Sequence, residues 1–267
     1  MQVASMHFKA RAHDKLNDVQ LQRNLGKIKG KFVAKRREAL VELDDVDATR
    51  DAARDIRQRS LDNLDVWLEM FERNAQARGA TVLWAETPAD INKLVLEIAF
   101  RHGVRTIIKS KSMVSEESAL DHAIESAGLK VVETDLGEYI LQINGYEPPS
   151  HIIGPALHKS KEEVSDLFAR AHGTPRKEGI DELCLEARSV LREHYLSADM
   201  GISGGNFFVA ESGSVVLVTN EGNATLTTTL PKVHVAISGI EKVVPTLEDI
   251  ATLMRLLPRS ATGQSIS

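Results

Sequence analysis

Hydrophobic positions change their spacing several times along the chain. Residues 1–48 are polar and charged without a sustained period, which predicts an extended or loosely helical arm. In residues 49–78 apolar side chains recur at steps of three and four, at Ala53, Ile56, Leu64, Trp67 and Phe71. This spacing predicts one amphipathic helix of about seven turns that ends near Gly79.

Short apolar runs then alternate with amphipathic stretches. The runs predict four strands, at residues 80–85, 104–109, 129–134 and 151–157. Helices are expected between them, from the N-cap Thr87 and over residues 115–128. This alternation predicts an α/β fold with a parallel sheet covered by helices on both faces.

The second half of the chain has clear helix and hairpin signals. Capping boxes at Ser160 and Thr246 predict helices over residues 161–172 and 247–257, and residues 180–198 form a third helical pattern. Two strands joined by a Glu-Ser-Gly-Ser turn are expected in residues 206–219, and another strand in residues 232–238. The tail after residue 258 has no closing element, so we expect it to have continued into a longer protein.

The amino-acid composition narrows the class of protein to which the chain can belong. The chain has 267 residues, 42% of them hydrophobic, which suffices for one sizeable core with an appendage or for two small domains. Its net charge is −5, but the segment from Lys9 to Arg37 has ten Lys and Arg residues against two Asp residues. This basic arm is either a solvated surface or a contact for an acidic partner, a phosphate backbone or an anionic membrane. No aromatic platform accompanies it, so no nucleic-acid partner is expected.

The single cysteine, Cys184, excludes an intrachain disulfide, a thiolate zinc site or an iron–sulfur cluster built by this chain alone. It is expected to be a small core residue. No run approaches about 18 consecutive apolar residues and no signal-peptide pattern is present, so we expect a cytoplasmic protein without a transmembrane segment.

The segment "KSKSMVSEE" is the first candidate site. Lys109, Lys111 and Ser112 follow a predicted strand and precede a predicted helix. Cations and hydroxyls beside a helix N-terminus favour a bound anion, whereas the alternative is an N-cap with two solvated lysines. Three acids lie at the end of the next predicted strand, Glu133, Asp135 and Glu138. They could bind a cation or orient hydrogen-bond donors, or they could be ordinary surface acids.

The segment "NFFVAESGSVVLVTNEGN" is the second candidate site. It has more polar residues than a hairpin requires, at Asn206, Glu211, Asn220, Glu221 and Asn223. We expect these side chains to form the wall opposite Lys109, Lys111 and Ser112, although turn formation alone explains one or two of them. His234, between two valines, is expected to be a structural residue. No nucleotide-binding glycine motif is present, so nicotinamide chemistry has no support.

At "KSKSMVSEE", "ETDLGEYILQ", "PPSHIIGPALHK" and "VAESGSVVLVTNEGNATLTTTLPKVHVAISGIEKVVPT" the chain resembles the lactate utilization protein B family, whose core is the LUD domain. The resemblance extends from about residue 8 to residue 265. It implies a Rossmann-like fold with a mostly parallel sheet, similar to the NagB/RpiA/CoA-transferase group, which agrees with the alternation of strands and helices. The expected organisation is an arm and amphipathic helix over residues 1–78, a LUD domain over 79–258 and a tail over 259–267.

The resemblance also implies a function. Members of the family work with other lactate utilization subunits in oxidising L-lactate to pyruvate without nicotinamide. Their full-length chains continue into a ferredoxin-like region whose cysteines hold two [4Fe–4S] clusters. This sequence lacks that region, so the chain is either a truncated form or a natural short form. We therefore expect the LUD-domain part of an electron-transfer subunit, with no cofactor in this chain and with a small carboxylate or CoA-like anion as ligand. One alternative is a CoA-transferase-like enzyme with Glu211 as nucleophile. Another is a scaffold without a ligand, with the basic arm and the helix at residues 49–78 as its contact surface.

Overall fold

The computed structural model describes residues 7–219 and 221–265 and shows twelve α-helices and seven strands there. The helices are α1 (Phe8–Asn17), α2 (Val19–Val41), α3 (Val46–Asp62), α4 (Leu64–Ala77), α5 (Pro88–Arg101), α6 (Met113–Glu117), α7 (Leu120–Ser126), α8 (Leu136–Ile143), α9 (Lys161–His172), α10 (Ile180–Ser197), α11 (Asn223–Thr229) and α12 (Leu247–Thr262). The strands are β1 (Thr106–Lys109), β2 (Lys130–Glu133), β3 (Met200–Gly204), β4 (Phe207–Val209), β5 (Ser214–Val216), β6 (Val233–Ile237) and β7 (Val243–Val244).

The described chain divides into two compact units, each assembled from separate segments. The first unit comprises residues 7–27, 86–203 and 221–235. The second comprises residues 28–85, 204–219 and 236–265. None of the helices in the described part of the chain is long and apolar enough to cross a membrane.

The sheet of the first unit has the strand order β2-β1-β3-β6. Strand β1 pairs in parallel with both β2 and β3, and Lys109 is in register with Glu133 and Ile202. Ile108 packs with residues of α8, α9 and α10 in one hydrophobic cluster. The adjacent residue, Lys109, contacts side chains from α6 and α7 instead. Because successive strand residues point to opposite faces, helices cover both faces of the sheet and the predicted Rossmann-like α/β fold is confirmed.

The second unit contains a three-stranded sheet of order β5-β4-β7. Strands β4 and β5 form an antiparallel hairpin, which confirms the pair of strands predicted in residues 206–219. Gly213 lies in the left-handed region with φ of 66°, and a Cβ there would come within 2.4 Å of the backbone nitrogen of Ala75. Only glycine meets both conditions without strain, so the turn residue also allows α4 to approach the hairpin.

Three helices begin where their capping signals predict. Thr87, Ser160 and Thr246 each form a complete capping box with the acidic residue three positions later. These boxes satisfy backbone N–H groups that have no partner inside the helix. The capping-box hydrogen bonds therefore determine where α5, α9 and α12 begin.

The predicted helix over residues 49–78 is wrong as a single element. It is divided into α3 and α4 at Asn63, whose φ of −131° and ψ of 39° are not helical. The Asn63 side-chain amide donates a hydrogen bond to the Arg59 carbonyl oxygen. Asparagine competes with the helical backbone in this way, which the apolar period does not reveal.

Two of the predicted strands are wrong. Neither residues 80–85 nor residues 151–157 form a strand, although both runs are apolar. In the second run the Nδ1 atom of His151 accepts hydrogen bonds from the backbone N–H groups of Ile153 and Gly154. This local turn uses backbone donors that a strand would direct to a neighbour.

Two helices, two strands and the environment of Cys184 were not predicted. Helices α8 and α11 and strands β3 and β7 lie in segments for which the sequence predicts neither helix nor strand. Cys184 is exposed, so the expectation that it fills the core is wrong. The buried face of α10 is formed by Leu183, Ala187 and Leu191, whereas Cys184 lies on the outer face, as does Ile180 at 64% exposure.

The outer edge of β2 is closed by the side chain of Gln142. Its Oε1 atom accepts a hydrogen bond from the Glu133 N–H at 2.9 Å, and its Nε2 atom donates to the Val131 carbonyl at 3.1 Å. We expect Gln142→Leu to lower the free energy of unfolding by about 2 kcal/mol, because it leaves two backbone groups without partners. Urea denaturation measures the change. The exposed Gln76→Leu is the control, and equal stability of the two variants would contradict the role of Gln142.

Candidate functional site

Seven charged side chains gather at the carboxyl ends of β1 and β2. The strand order places β2 and β3 on opposite sides of β1, an arrangement beside which ligands bind in open α/β sheets. We call the group the carboxyl-edge cluster; its members are Lys109, Lys111, Glu116, Asp121, Glu133, Asp135 and Glu138.

Lys109 is the centre of the cluster and is almost completely buried, with 1% of its surface exposed. Its Nζ atom lies 2.5 Å from Oε1 of Glu133 and 3.4 Å from Oδ1 of Asp121. The same atom donates a hydrogen bond of 3.2 Å to the hydroxyl of Ser115. An ammonium group has three donors, so this lysine is committed to groups of the protein.

Burial alone would lower the pKa of Lys109, but the attraction of Glu133 and Asp121 outweighs it and raises that pKa. Lys109 therefore stays protonated throughout the physiological range. Burial also raises the pKa of Glu133 well above its ordinary value, against the opposing influence of the Lys109 ammonium. The second carboxylate oxygen of Glu133, Oε2, is buried without a hydrogen-bond partner.

Lys111 differs from Lys109 because 25% of its side chain is exposed. Its Nζ atom lies 3.3 Å from Oδ2 of Asp135 and donates a hydrogen bond of 3.1 Å to the carbonyl oxygen of Ile153. These two contacts hold the ammonium group at the edge of the sheet. Lys111 is thus the lysine of the pair that an external anion can reach.

Ser112 is the N-cap of α6. Its hydroxyl accepts a hydrogen bond of 3.3 Å from the Ser115 N–H, and the Ser115 hydroxyl donates to the Ser112 carbonyl. Ser112 is also buried. The hydroxyl therefore serves the helix start, and the ligand contact expected for it stays a prediction.

Glu221 lies at the same edge of the first unit. Its carboxylate accepts a hydrogen bond from the backbone of Leu136, the first residue of α8. Burial and then repulsion by Asp135 raise the pKa of Glu221, whereas Lys111 acts against this shift. Glu221 and Lys111 are therefore brought together. Asn223 is the first residue of α11, and Asn220 lies outside the described residues.

Asn206 and Glu211 belong to the second unit, with contacts of their own. The Asn206 side-chain oxygen accepts a hydrogen bond from the Val218 N–H at 2.8 Å, beside the hairpin. Oε1 of the exposed Glu211 accepts one from the Leu247 N–H at 2.7 Å, at the start of α12. This contact supports a helix N-terminus, and the nucleophilic role expected of Glu211 stays a prediction.

His234 makes the structural contact expected of it. Its Nε2 atom lies 2.8 Å from the hydroxyl oxygen of the buried Ser203, on the neighbouring strand β3. Burial lowers the pKa of His234. The neutral ring is thus favoured, as suits a hydrogen bond between two strands.

The acids after β2 were considered as a cation site or as groups that orient donors. Within residues 7–219 and 221–265 no three His, Cys, Asp or Glu side chains are placed to hold a metal ion. Glu133 and Asp135 instead hold the ammonium groups of Lys109 and Lys111. A [4Fe–4S] cluster does not fit this chain, because four thiolates are required and the sequence has one cysteine.

Two members of the cluster were missed in the sequence. Glu116 and Asp121 lie in segments read only as parts of a helix. Asp121 reaches Lys109 because α7 crosses back over the sheet, which depends on the tertiary fold. The local signal for them is the density of acids around β2, which does not reveal that Lys109 is buried.

Known proteins resemble this chain over its whole length. The sequence profile described as "LUD domain" matches residues 68–267. The chain is 42% identical over 267 residues to lactate utilization protein B of Geobacillus sp. (strain WCH70) and 43% identical to that of Lysinibacillus sphaericus (strain C3-41). All of this chain is aligned in both cases, and it spans 56% of the length of each relative. No solved structure shows a significant match.

Proposed function

Because the chain belongs to the LUD domain family, we propose that it is the LUD-domain part of an iron–sulfur electron-transfer subunit that acts in the oxidation of L-lactate to pyruvate. The observation that carries this proposal is the 42% identity to lactate utilization protein B along all 267 residues. Its partners are the other lactate utilization subunits, in the cytoplasm. Because this sequence has one cysteine, the contribution proposed for it is binding and orientation.

Copurification and activity test this function together. A tagged version of the natural full-length protein, expressed in its own host during growth on L-lactate, should retain the companion subunits. The retained assembly should reduce an artificial electron acceptor when L-lactate is added, without nicotinamide. Failure of the assembly to oxidise L-lactate would contradict the proposal.

Within the first unit, we propose that a small carboxylate binds beside Lys111. The ammonium group has three donors, of which the structure assigns one to Ile153 and one to the Asp135 contact. The partial exposure of the side chain leaves its remaining donor open to a ligand. Lys109, which the sequence analysis also placed in an anion site, contributes by fixing β1 and α6 beneath it.

We expect Lys111→Ala to weaken the binding of L-lactate or pyruvate by about tenfold or more, because a hydrogen bond to a charged group contributes about 1.5–3 kcal/mol. Calorimetric titration with L-lactate, pyruvate and coenzyme A measures the affinities. Lys93→Ala is the matched control, since Lys93 is an exposed lysine on α5. Unchanged affinity of Lys111→Ala, or no binding to the wild type, would contradict the anion site.

A further inference from the structure

Glu116 and Glu138 are a pair of carboxyl groups in the carboxyl-edge cluster. Glu116 lies in α6 and the buried Glu138 in the first turn of α8, and each carboxyl group influences the pKa of the other. Among the described residues, no protein N–H or O–H group donates to either buried oxygen of Glu116. Burying an ionised carboxylate without a hydrogen-bond donor is costly, so a bound proton on the pair is favoured.

The charges around the pair also favour a bound proton. Two lysines face five carboxyl groups, which would give the cluster a net charge of −3 if every acid were ionised. The groups that face the pair are Lys109 on β1, Lys111 before α6, Asp121 on α7, Glu133 on β2 and Asp135 before α8. One shared proton removes one of these uncompensated buried charges.

The expected protonation agrees with this geometry. Burial raises the pKa of Glu116. Burial and then repulsion by Glu116 raise the pKa of Glu138 to about 7. The attraction of Lys111 lowers the pKa of both groups, so neutralising Lys111 should raise the pKa of both.

We propose that Glu116 and Glu138 share one proton and that binding of a carboxylate beside Lys111 makes the pair take up a proton from solvent. This coupling rests on the proposed anion site. A bound anion neutralises the ammonium group that stabilises the ionised pair, and it adds a negative charge close by. Both effects favour the protonated pair, so by linkage the protonated protein binds the anion more tightly.

The protein without ligand tests the shared proton. A carboxyl whose pKa is higher in the folded than in the unfolded state stabilises the fold at low pH and loses this contribution as pH rises through the folded pKa. The urea midpoint of the wild type should therefore fall between about pH 5.5 and about pH 8. Glu138→Gln, whose amide cannot ionise, should show a smaller fall, and the exposed Glu117→Gln on α6 should behave as the wild type. Equal slopes in all three proteins would overturn the shared proton.

Calorimetry with pyruvate tests the coupling. Titrations at about pH 8 in two buffers of different ionisation enthalpy should show uptake approaching one proton per pyruvate bound, and Kd should rise by up to about tenfold per pH unit above pH 7. In Glu138→Gln the uptake should vanish and Kd should depend little on pH. Binding by the wild type without proton uptake would overturn the coupling and leave the anion site intact. Absence of binding would overturn the anion site and with it the coupling, while the urea series still decides on the shared proton.

Discussion

Lys109→Met is expected to lower the free energy of unfolding by about 3–5 kcal/mol, because loss of one partner leaves buried charges uncompensated. The Lys109 ammonium is 2.5 Å from Glu133 and 3.4 Å from Asp121. Methionine fills much of the volume of the lysine stem, so the change removes mainly the charge and its hydrogen bonds. Equilibrium denaturation in urea gives the difference.

A rescue variant separates charge from packing in this experiment. Lys109→Met combined with Glu133→Gln removes both members of the closest ion pair and should recover part of the lost stability. Lys93→Met, at an exposed lysine of α5, should change stability little. If the single variant Lys109→Met were as stable as Lys93→Met, the buried ion pair would not hold this end of the sheet together.

Gly201→Ala is expected to destabilise the protein by about 3 kcal/mol or more, the upper part of the range for overpacking. A Cβ atom at this position of β3 would lie 1.9 Å from the carbonyl oxygen of Thr227 and 3.0 Å from its carbonyl carbon. Both atoms are backbone of α11, so relief requires displacement of the helix rather than a rotamer change. Thermal or urea unfolding measures the loss.

Gly26→Ala is the same substitution at a position where we expect a gain in stability instead of a loss. Gly26 lies in α2 and a Cβ there would meet nothing within 4 Å. Alanine is the better helix former, so this variant should gain about 0.5–1 kcal/mol. A loss at Gly201 no larger than about 1 kcal/mol would show that α11 does not approach β3 as closely as described.

Local chemistry predicted the elements that have strong start signals. The capping boxes at Thr87, Ser160 and Thr246 gave the first residues of α5, α9 and α12. Helix α11 was missed because Thr225, Thr227, Thr228 and Thr229 are poor helix formers, and contacts such as that of Thr227 with Thr134 hold the helix instead. The apolar run at residues 80–85 predicted a strand, but a strand also requires a neighbour, which only the tertiary structure decides.

The sequence predicted several of the charged residues at the candidate site, but not which of them contact each other. Lys109, Lys111 and the acids at residues 133–138 were predicted from their positions after strands, and all of them lie at one edge of the sheet. Both lysines were expected to be available to a ligand. Their different roles come from burial, which assigns Lys109 to Glu133 and leaves Lys111 partly exposed. Burial of a charged side chain depends on partners distant in sequence, such as Asp121, and no local pattern encodes it.

The closure of β2 by Gln142 also bears on association between molecules. An outermost strand with unpaired backbone groups is a template on which a strand from another chain can add. The Gln142 amide occupies the Glu133 N–H and the Val131 carbonyl as a neighbouring strand would. Gln142 therefore occupies, at this edge of the sheet, two of the backbone groups that an added strand would use.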